Sequence, residues 1–232
     1  MSEHLTRKEL RTDKFAVAVE HNVEYVAEHK KQLIQYGGIA VAVILAAVGT
    51  YAFLSHSKTV REEQLGEAIS IQESQVTPGA LPGSGAYTTE EAKEAAARKA
   101  FTAVSNEHSS AKEGLIAEYY LGCIAADSGK LDEARKHFQT VADSSDKDYS
   151  SLANLSLAEL NFMQNKAAEG EKILRNLIDH PTLLVSKDQA AIALARHLAK
   201  TNPAEARKML EPLIKQTNAA SQIAVGVMSE IK

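Results

Sequence analysis

The sequence predicts an all-α protein in which a single N-terminal transmembrane helix precedes a solenoid of helical hairpins. Three observations support this fold class. Residues 33–54 form an apolar run of 22 residues without a charged side chain. Residues 89–232 consist of helix-forming stretches separated by short polar breaks, without the alternation of a strand. In this second part, small and large apolar residues recur every 36 residues.

The composition argues against several classes of function. The chain of 232 residues has one cysteine, Cys123, which excludes an intrachain disulfide and a four-cysteine metal site. The net charge of −4 disfavours a nucleic-acid partner, because phosphate contacts require clustered Lys and Arg. Walker, GxSxG and HExxH motifs are absent, so we expect no enzyme, no metal or cofactor and no small-molecule substrate. A nucleophilic Cys123 paired with a distant histidine is the alternative, but its position inside a predicted helix favours a structural or groove thiol.

Residues 1–32 are predicted to form a cytoplasmic N-terminal segment with a short amphipathic helix. Phe15, Val19, Val23 and Val26 recur at helical spacing, and Asp13 can cap the start of this helix. Two interpretations stay open. The stripe lies on the inner membrane surface or touches a membrane partner, or the segment is a stiff cytoplasmic extension of the spanning helix.

Residues 33–54 are predicted to span the membrane. A helix of this length measures about 33 Å, enough for a hydrocarbon core of about 30 Å. The run is about twice as long as the apolar region of a signal peptide, so we expect an uncleaved anchor. Six basic residues precede the span, and two, Lys58 and Arg61, follow it closely. Within the nearest 20 residues on each side, the count of basic residues is three before the span against two after it. The bias places the N-terminus in the cytoplasm and the main domain outside.

Gly38, Ala42 and Ala46 lie four residues apart inside this span. Such a small-xxx-small ridge allows a neighbouring helix to approach closely, so we interpret it as a helix-packing face. The alternative is that Gly and Ala are simply frequent in spanning helices.

The remaining chain divides into three segments. Residues 55–74 are predicted as a membrane-proximal helix, and residues 75–88, QVTPGALPGSGAYT, as a flexible Pro/Gly linker. Residues 89–232 form the repeat domain, whose first helix starts after Thr89.

The 36-residue period is defined by two sets of positions in the repeat domain. A small residue recurs at Ala134, Gly170 and Ala206, and a large apolar one at Phe138, Leu174 and Leu210. Two antiparallel helices can approach closely only where a small side chain lies at their crossing. We therefore expect stacked hairpins, with a left-handed residue at Gly129 in the first turn and Asn202-Pro203 starting a later helix.

Leu121-Gly122, Ala134 and Phe138 resemble the tetratricopeptide repeat. The second unit, with Leu157-Ala158, and the third, with Ala193-Leu194, match this pattern more loosely. The period is two residues longer than the 34 of the family, and the early Trp and late Pro of the family are not evident. Residues 218–231 are predicted as a terminal capping helix.

The complete layout is similar to the bacterial ancillary subunit of the SecYEG translocon. This resemblance implies an inner-membrane protein whose periplasmic repeat domain binds translocon subunits and a membrane-anchored chaperone and assists exported clients. The alternative is a scaffold subunit of another cell-envelope complex, such as the division or secretion machinery.

The tetratricopeptide resemblance also implies a concave peptide groove. Carried over by register, its positions are Tyr119, Cys123 and Asp127 in the first unit and Leu155, Glu159 and Phe162 in the second. Further positions are Ile116, Leu152, Asp188, Ala191, Ala195 and Leu198. Such a groove suits an extended or helical apolar peptide. The alternative is that several of these residues belong to the core.

Overall fold

The computed structural model describes residues 30–79, 81 and 85–231. The predicted amphipathic stripe of residues 13–31 lies almost entirely outside these residues. The chain divides into two compact units, Met1–Thr59 and Val60–Lys232, which we call the N-terminal unit and the repeat unit. The predicted all-α class is confirmed, because the described residues form helices and only one isolated β-bridge.

The described residues contain nine helices. They are α1 (Lys30–Glu73), α2 (Glu90–Glu107), α3 (Lys112–Asp127), α4 (Leu131–Ala142), α5 (Lys147–Met163), α6 (Ala167–Asp179), α7 (Lys187–Thr201), α8 (Pro203–Ile214) and α9 (Ala219–Glu230).

The N-terminal unit contains the first part of α1. Helix α1 is the one helix in the described part of the chain that is long and apolar enough to cross a membrane, by length and composition. Its large apolar side chains are exposed, including Tyr51 at 76% and Phe53 at 70%. The Thr50 hydroxyl donates to the Ala46 carbonyl at 2.8 Å, which satisfies this polar group within the helix, as a bilayer requires. These features make it a candidate membrane span.

The repeat unit begins inside α1, earlier than the predicted repeat domain. Leu65 and Ala68 share one apolar cluster with Phe101 of α2 and Leu121 of α3. The end of α1 therefore belongs to the core of the repeat unit, and with α2 it forms an additional antiparallel hairpin. The Gln64 side-chain amide donates to the Glu107 carboxylate at 3.3 Å across this hairpin.

The connection between α1 and α2 is closed at its ends. The sequence predicts a flexible joint at residues 75–88, whereas the structure pairs its two ends. Thr77 N–H donates to the Tyr87 carbonyl at 2.8 Å, and Tyr87 N–H donates to the Gln75 carbonyl at 2.9 Å.

Two later turns repeat the same backbone geometry 36 residues apart. Gly129 has φ 72°, as predicted, and Asn165 has φ 59°. The following N–H groups close both turns in the same way: Lys130 donates to the Ala125 carbonyl and Lys166 to the Asn161 carbonyl, each at 2.8 Å. This is the bonding of a left-handed helix end, which glycine and asparagine tolerate best.

The predicted small and large positions are buried at the helix crossings of the repeat unit. Ala134, Ala206, Leu174 and Leu210 are fully buried, and Phe138 is 3% exposed. From α2 onward each helix packs against the next one in the chain, and α3 also contacts α5, and α7 also contacts α9. Helices α5, α7 and α9 all contribute residues to one cavity.

A candidate peptide groove on α5, α7 and α9

Two cavities of about 390 Å³ and 300 Å³ lie between α5 and α7. Both are lined by Glu159, Ala193 and Arg196, so they form one continuous groove. The larger cavity is completed by Leu155, Ser186, Gln189, Ile192, Ala220 and Ile223. The smaller one is completed by Phe162, His197 and Lys200.

Helix α5 supplies one wall of the groove through Leu155, Glu159 and Phe162. Their spacing of four and three residues places them on one face of a helix. Asp146 fixes the start of α5, because its carboxylate accepts hydrogen bonds from the Asp148 and Tyr149 N–H groups at 3.1 Å. The three predicted residues of the second repeat therefore lie together in this groove.

Helix α7 supplies the opposite wall, through residues that the sequence prediction did not include. Ile192, Arg196 and Lys200 line the groove. The predicted positions Ala191, Ala195 and Leu198 are buried at 8%, 0% and 3% exposure and line neither cavity, which fits the alternative that they belong to the core. The four-residue spacing of Ile192, Arg196 and Lys200 places them on one face of the helix.

Phe162 and His197 form the floor of the smaller cavity. Their rings stack at a centroid distance of 3.9 Å and an angle of 15°. Gly170 of α6 makes room for this stack, because a Cβ there would lie 2.6 Å from Phe162 Cε1. His197 Nε2 is buried and has no hydrogen-bond partner among the described residues. The Glu171 carboxylate lies 3.8 Å from it, which is too far for a hydrogen bond.

The groove combines apolar walls with a cationic end. Arg196 and Lys200 are exposed, and neither has an acidic partner within 4 Å in the described part of the chain. Burial raises the pKa of the Glu159 carboxyl, and the nearby charge of Arg196 partly opposes this shift. The Glu159 side chain keeps solvent contact on one side, but the concave wall around it removes enough water to disfavour its charged form.

The predicted residues of the first repeat lie elsewhere. Tyr119 and Cys123 are half-buried on α3 and pack against the cluster around Phe138, and Asp127 is exposed at the end of α3. The Tyr119 hydroxyl lies 3.3 Å from Ser156 Oγ. None of these three predicted residues lines either cavity.

Cys123 has the environment of a structural thiol. Burial raises its pKa to about 11, which lowers its thiolate fraction at neutral pH. In the residues that the structure covers, no group of three His, Cys, Asp or Glu side chains is placed to hold a metal ion.

The predicted packing face at Gly38, Ala42 and Ala46 is exposed on α1. A Cβ added at Gly38 would meet no atom within 4 Å. Its use by a neighbouring helix stays a prediction.

Comparison with known proteins identifies the family. Residues 30–182, more than half of the chain, match the tetratricopeptide repeat-like domain, and this stretch includes the apolar helix. Searches of the curated proteins and of the solved structures found no significant match. Domains of this kind generally mediate protein–protein interactions and are generally non-catalytic. The chain therefore belongs to the tetratricopeptide repeat-like domain family.

Proposed function

We propose that this protein is a membrane-tethered protein-interaction module that serves the Sec translocon as a periplasmic adaptor or chaperone-type accessory. The groove on α5, α7 and α9 is the observation that carries the proposal. It is an open, apolar-walled surface in a repeat unit whose family generally mediates protein interactions. Its partners are translocon subunits, a membrane-anchored chaperone or exported clients.

The candidate span supports the membrane location. Its apolar side chains are exposed over more than 20 residues, which water would penalise and a bilayer would favour. The excess of basic residues before the span supports a cytoplasmic N-terminus and a periplasmic repeat unit in the inner membrane.

Topology is tested with reporters fused after Lys232. Alkaline phosphatase is active only in the periplasm, whereas a cytoplasmic reporter such as β-galactosidase is active only inside. We expect phosphatase activity alone. Activity of the cytoplasmic fusion would overturn the periplasmic assignment.

Partner identity is tested by affinity purification of the detergent-solubilised full chain. We expect translocon subunits among the recovered proteins. Their absence, together with enrichment of division or other secretion proteins, would replace the translocon proposal with an envelope scaffold.

Two variants of α9 show whether the groove is involved. Ile223 lines the larger cavity and Val225 does not, although each side chain is 50% exposed. Ile223→Glu should reduce partner recovery, and Val225→Glu should leave it unchanged. Equal recovery by both variants would place the binding surface outside the groove.

A further inference from the structure

The groove on α5, α7 and α9 has chemically different ends. Leu155, Ile192 and Ile223 make the larger cavity mostly apolar. Arg196 lines both cavities, and Lys200 joins it in the smaller cavity beside the Phe162–His197 stack. An occupant that fills both cavities therefore presents an apolar group to one end and a polar group to the other.

Arg196 differs from every other arginine in the described residues. The described residues include six arginines. Five of them donate a hydrogen bond to another group of the protein, and Arg196 donates none. The five are Arg61 to Glu113, Arg98 to Glu94 and Glu133, Arg135 to Asn161 and Gln164, Arg175 to Glu205, and Arg207 to the Ile231 carbonyl. The Arg196 guanidinium is thus free to form a bidentate pair with a carboxylate, through two parallel N–H···O hydrogen bonds.

Lys200 adds a second unpaired cation to the same face. It lies one helical turn beyond Arg196 and lines the smaller cavity with it. Glu159 on the facing helix is the one carboxylate that lines either cavity, so two cations oppose one acid. Because burial already disfavours the charged form of Glu159, the charge of the groove is on balance positive.

A third cavity of the repeat unit, between α1 and α2, has the opposite balance. Its volume is about 380 Å³, and Glu67 and Glu107 line it against a single cation, Lys99. An acidic ligand is therefore disfavoured there and favoured at the groove.

We infer that the groove binds peptide segments in which an apolar side chain lies next to one or more acidic side chains. The apolar side chain fills the cavity of Leu155, Ile192 and Ile223, and the acidic group pairs with Arg196 and Lys200. This inference rests on the proposed role as a protein-interaction module and adds the chemistry of the partner.

The inference is tested with three labelled peptides that differ only beside a central leucine. They have two glutamates, two glutamines or two lysines at that position, and their binding to the detergent-solubilised full chain is followed by fluorescence anisotropy. We expect the glutamate peptide to bind about five- to tenfold more tightly than the glutamine peptide, and to weaken with added salt. The lysine peptide should bind most weakly. Equal affinities, or a preference for lysine, would overturn the inference.

Charge variants locate the effect. Arg196→Gln and Lys200→Gln should each reduce the preference for the glutamate peptide severalfold, and Glu159→Gln should increase it. Lys208→Gln is the matched control, because Lys208 is exposed on α8 and lines neither cavity. Thermal unfolding confirms that each variant folds. A reduction caused equally by Lys208→Gln would also contradict the inference.

Failure of this inference is distinguishable from failure of the proposed function. If the three peptides bind the wild-type chain with equal affinity and Ile223→Glu abolishes that binding, the groove binds peptides and the acidic preference is wrong. If no peptide binds while translocon subunits are still recovered, the module uses another surface and the inference fails alone. Loss of translocon recovery with retained acidic preference rejects only the translocon role.

Discussion

Arg61 Nε lies 3.1 Å from Glu113 Oε2, and this ion pair joins α1 to α3 across 52 residues of sequence. Glu113 is only 9% exposed, so its carboxylate depends on the guanidinium for solvation. The pair lies beside the cluster of Leu65 and Leu121. The segment that follows the candidate span is thus a structural part of the repeat unit.

Arg61→Met should destabilise the repeat unit by about 1–3 kcal/mol, because the Glu113 carboxylate stays largely buried without a partner. Urea unfolding followed by circular dichroism measures this change. The double variant with Glu113→Gln should recover part of the loss, and Lys208→Met, at an exposed lysine of α8, is the control. If the loss in the double variant equals the sum of the losses in Arg61→Met and Glu113→Gln, the two residues are not coupled.

Four glycine-to-alanine variants should fall in a defined order of stability. A Cβ at Gly114 would collide with the His108 backbone carbonyl, and one at Gly122 would lie 2.6 Å from the buried ring of Phe138. The His108 carbonyl cannot move without the turn that contains it, and the Phe138 ring is held by the core. Both variants should therefore lose about 1–3 kcal/mol of unfolding free energy.

Gly170→Ala and Gly226→Ala complete this series. The ring of Phe162 beside Gly170 is half-buried at the groove and can move, so the loss should be smaller. Gly226 has nothing within 4 Å of an added Cβ, so its variant should gain up to about 1 kcal/mol from helix propensity. The unfolding midpoint of each variant checks the order, and a destabilised Gly226→Ala would contradict the steric argument.

Cys123 should react slowly with iodoacetamide. Burial raises its pKa from 9.0 to about 11, so at pH 8 the thiolate fraction falls about 100-fold relative to an unperturbed thiol. Mass spectrometry of the native and the urea-unfolded protein gives the two rates. Equal rates would show that the thiol is exposed and unperturbed.

Glu159→Gln should stabilise the protein at neutral pH and not at acidic pH. The raised pKa means that the folded state holds the Glu159 proton more tightly than the unfolded state does. The associated stability is present below the unfolded pKa, near 4.5, and is lost as the pH rises through the folded pKa. The difference in melting temperature between variant and wild type should be positive at pH 7 and close to zero at pH 4. A difference that is independent of pH would assign the effect to packing.

Much of the fold could be predicted because its signals are local. Small and large residues at Ala134 and Phe138 recur with constant spacing, and the caps at Thr89 and Asn202 lie next to the helices that they start. The additional hairpin was missed because the connection between α1 and α2 interrupts the period. Ala97 and Phe101 are buried and lie four residues apart, as Ala134 and Phe138 do. Their partner helix, however, is the end of α1, which lies before the connection of residues 75–88.

The groove could be predicted only in part. Family register predicted Leu155, Glu159 and Phe162, and these residues line the two cavities. On α7 it named Ala191 and Ala195, which pack in the core, whereas Ile192 and Arg196 line the cavity. The rotation of one helix against its neighbours depends on contacts between distant residues, which a repeat pattern does not encode.

The paired ends of residues 75–88 give the protein a permissive position for a probe. Val76 and Tyr87 lie next to each other at the two ends of this connection, so added length between them costs entropy of loop closure. Each doubling of such a loop costs about 0.6 kcal/mol. A fluorescent or crosslinking tag inserted next to Leu81, whose side chain is 77% exposed, should therefore leave the hairpins intact and report on the environment of the repeat unit.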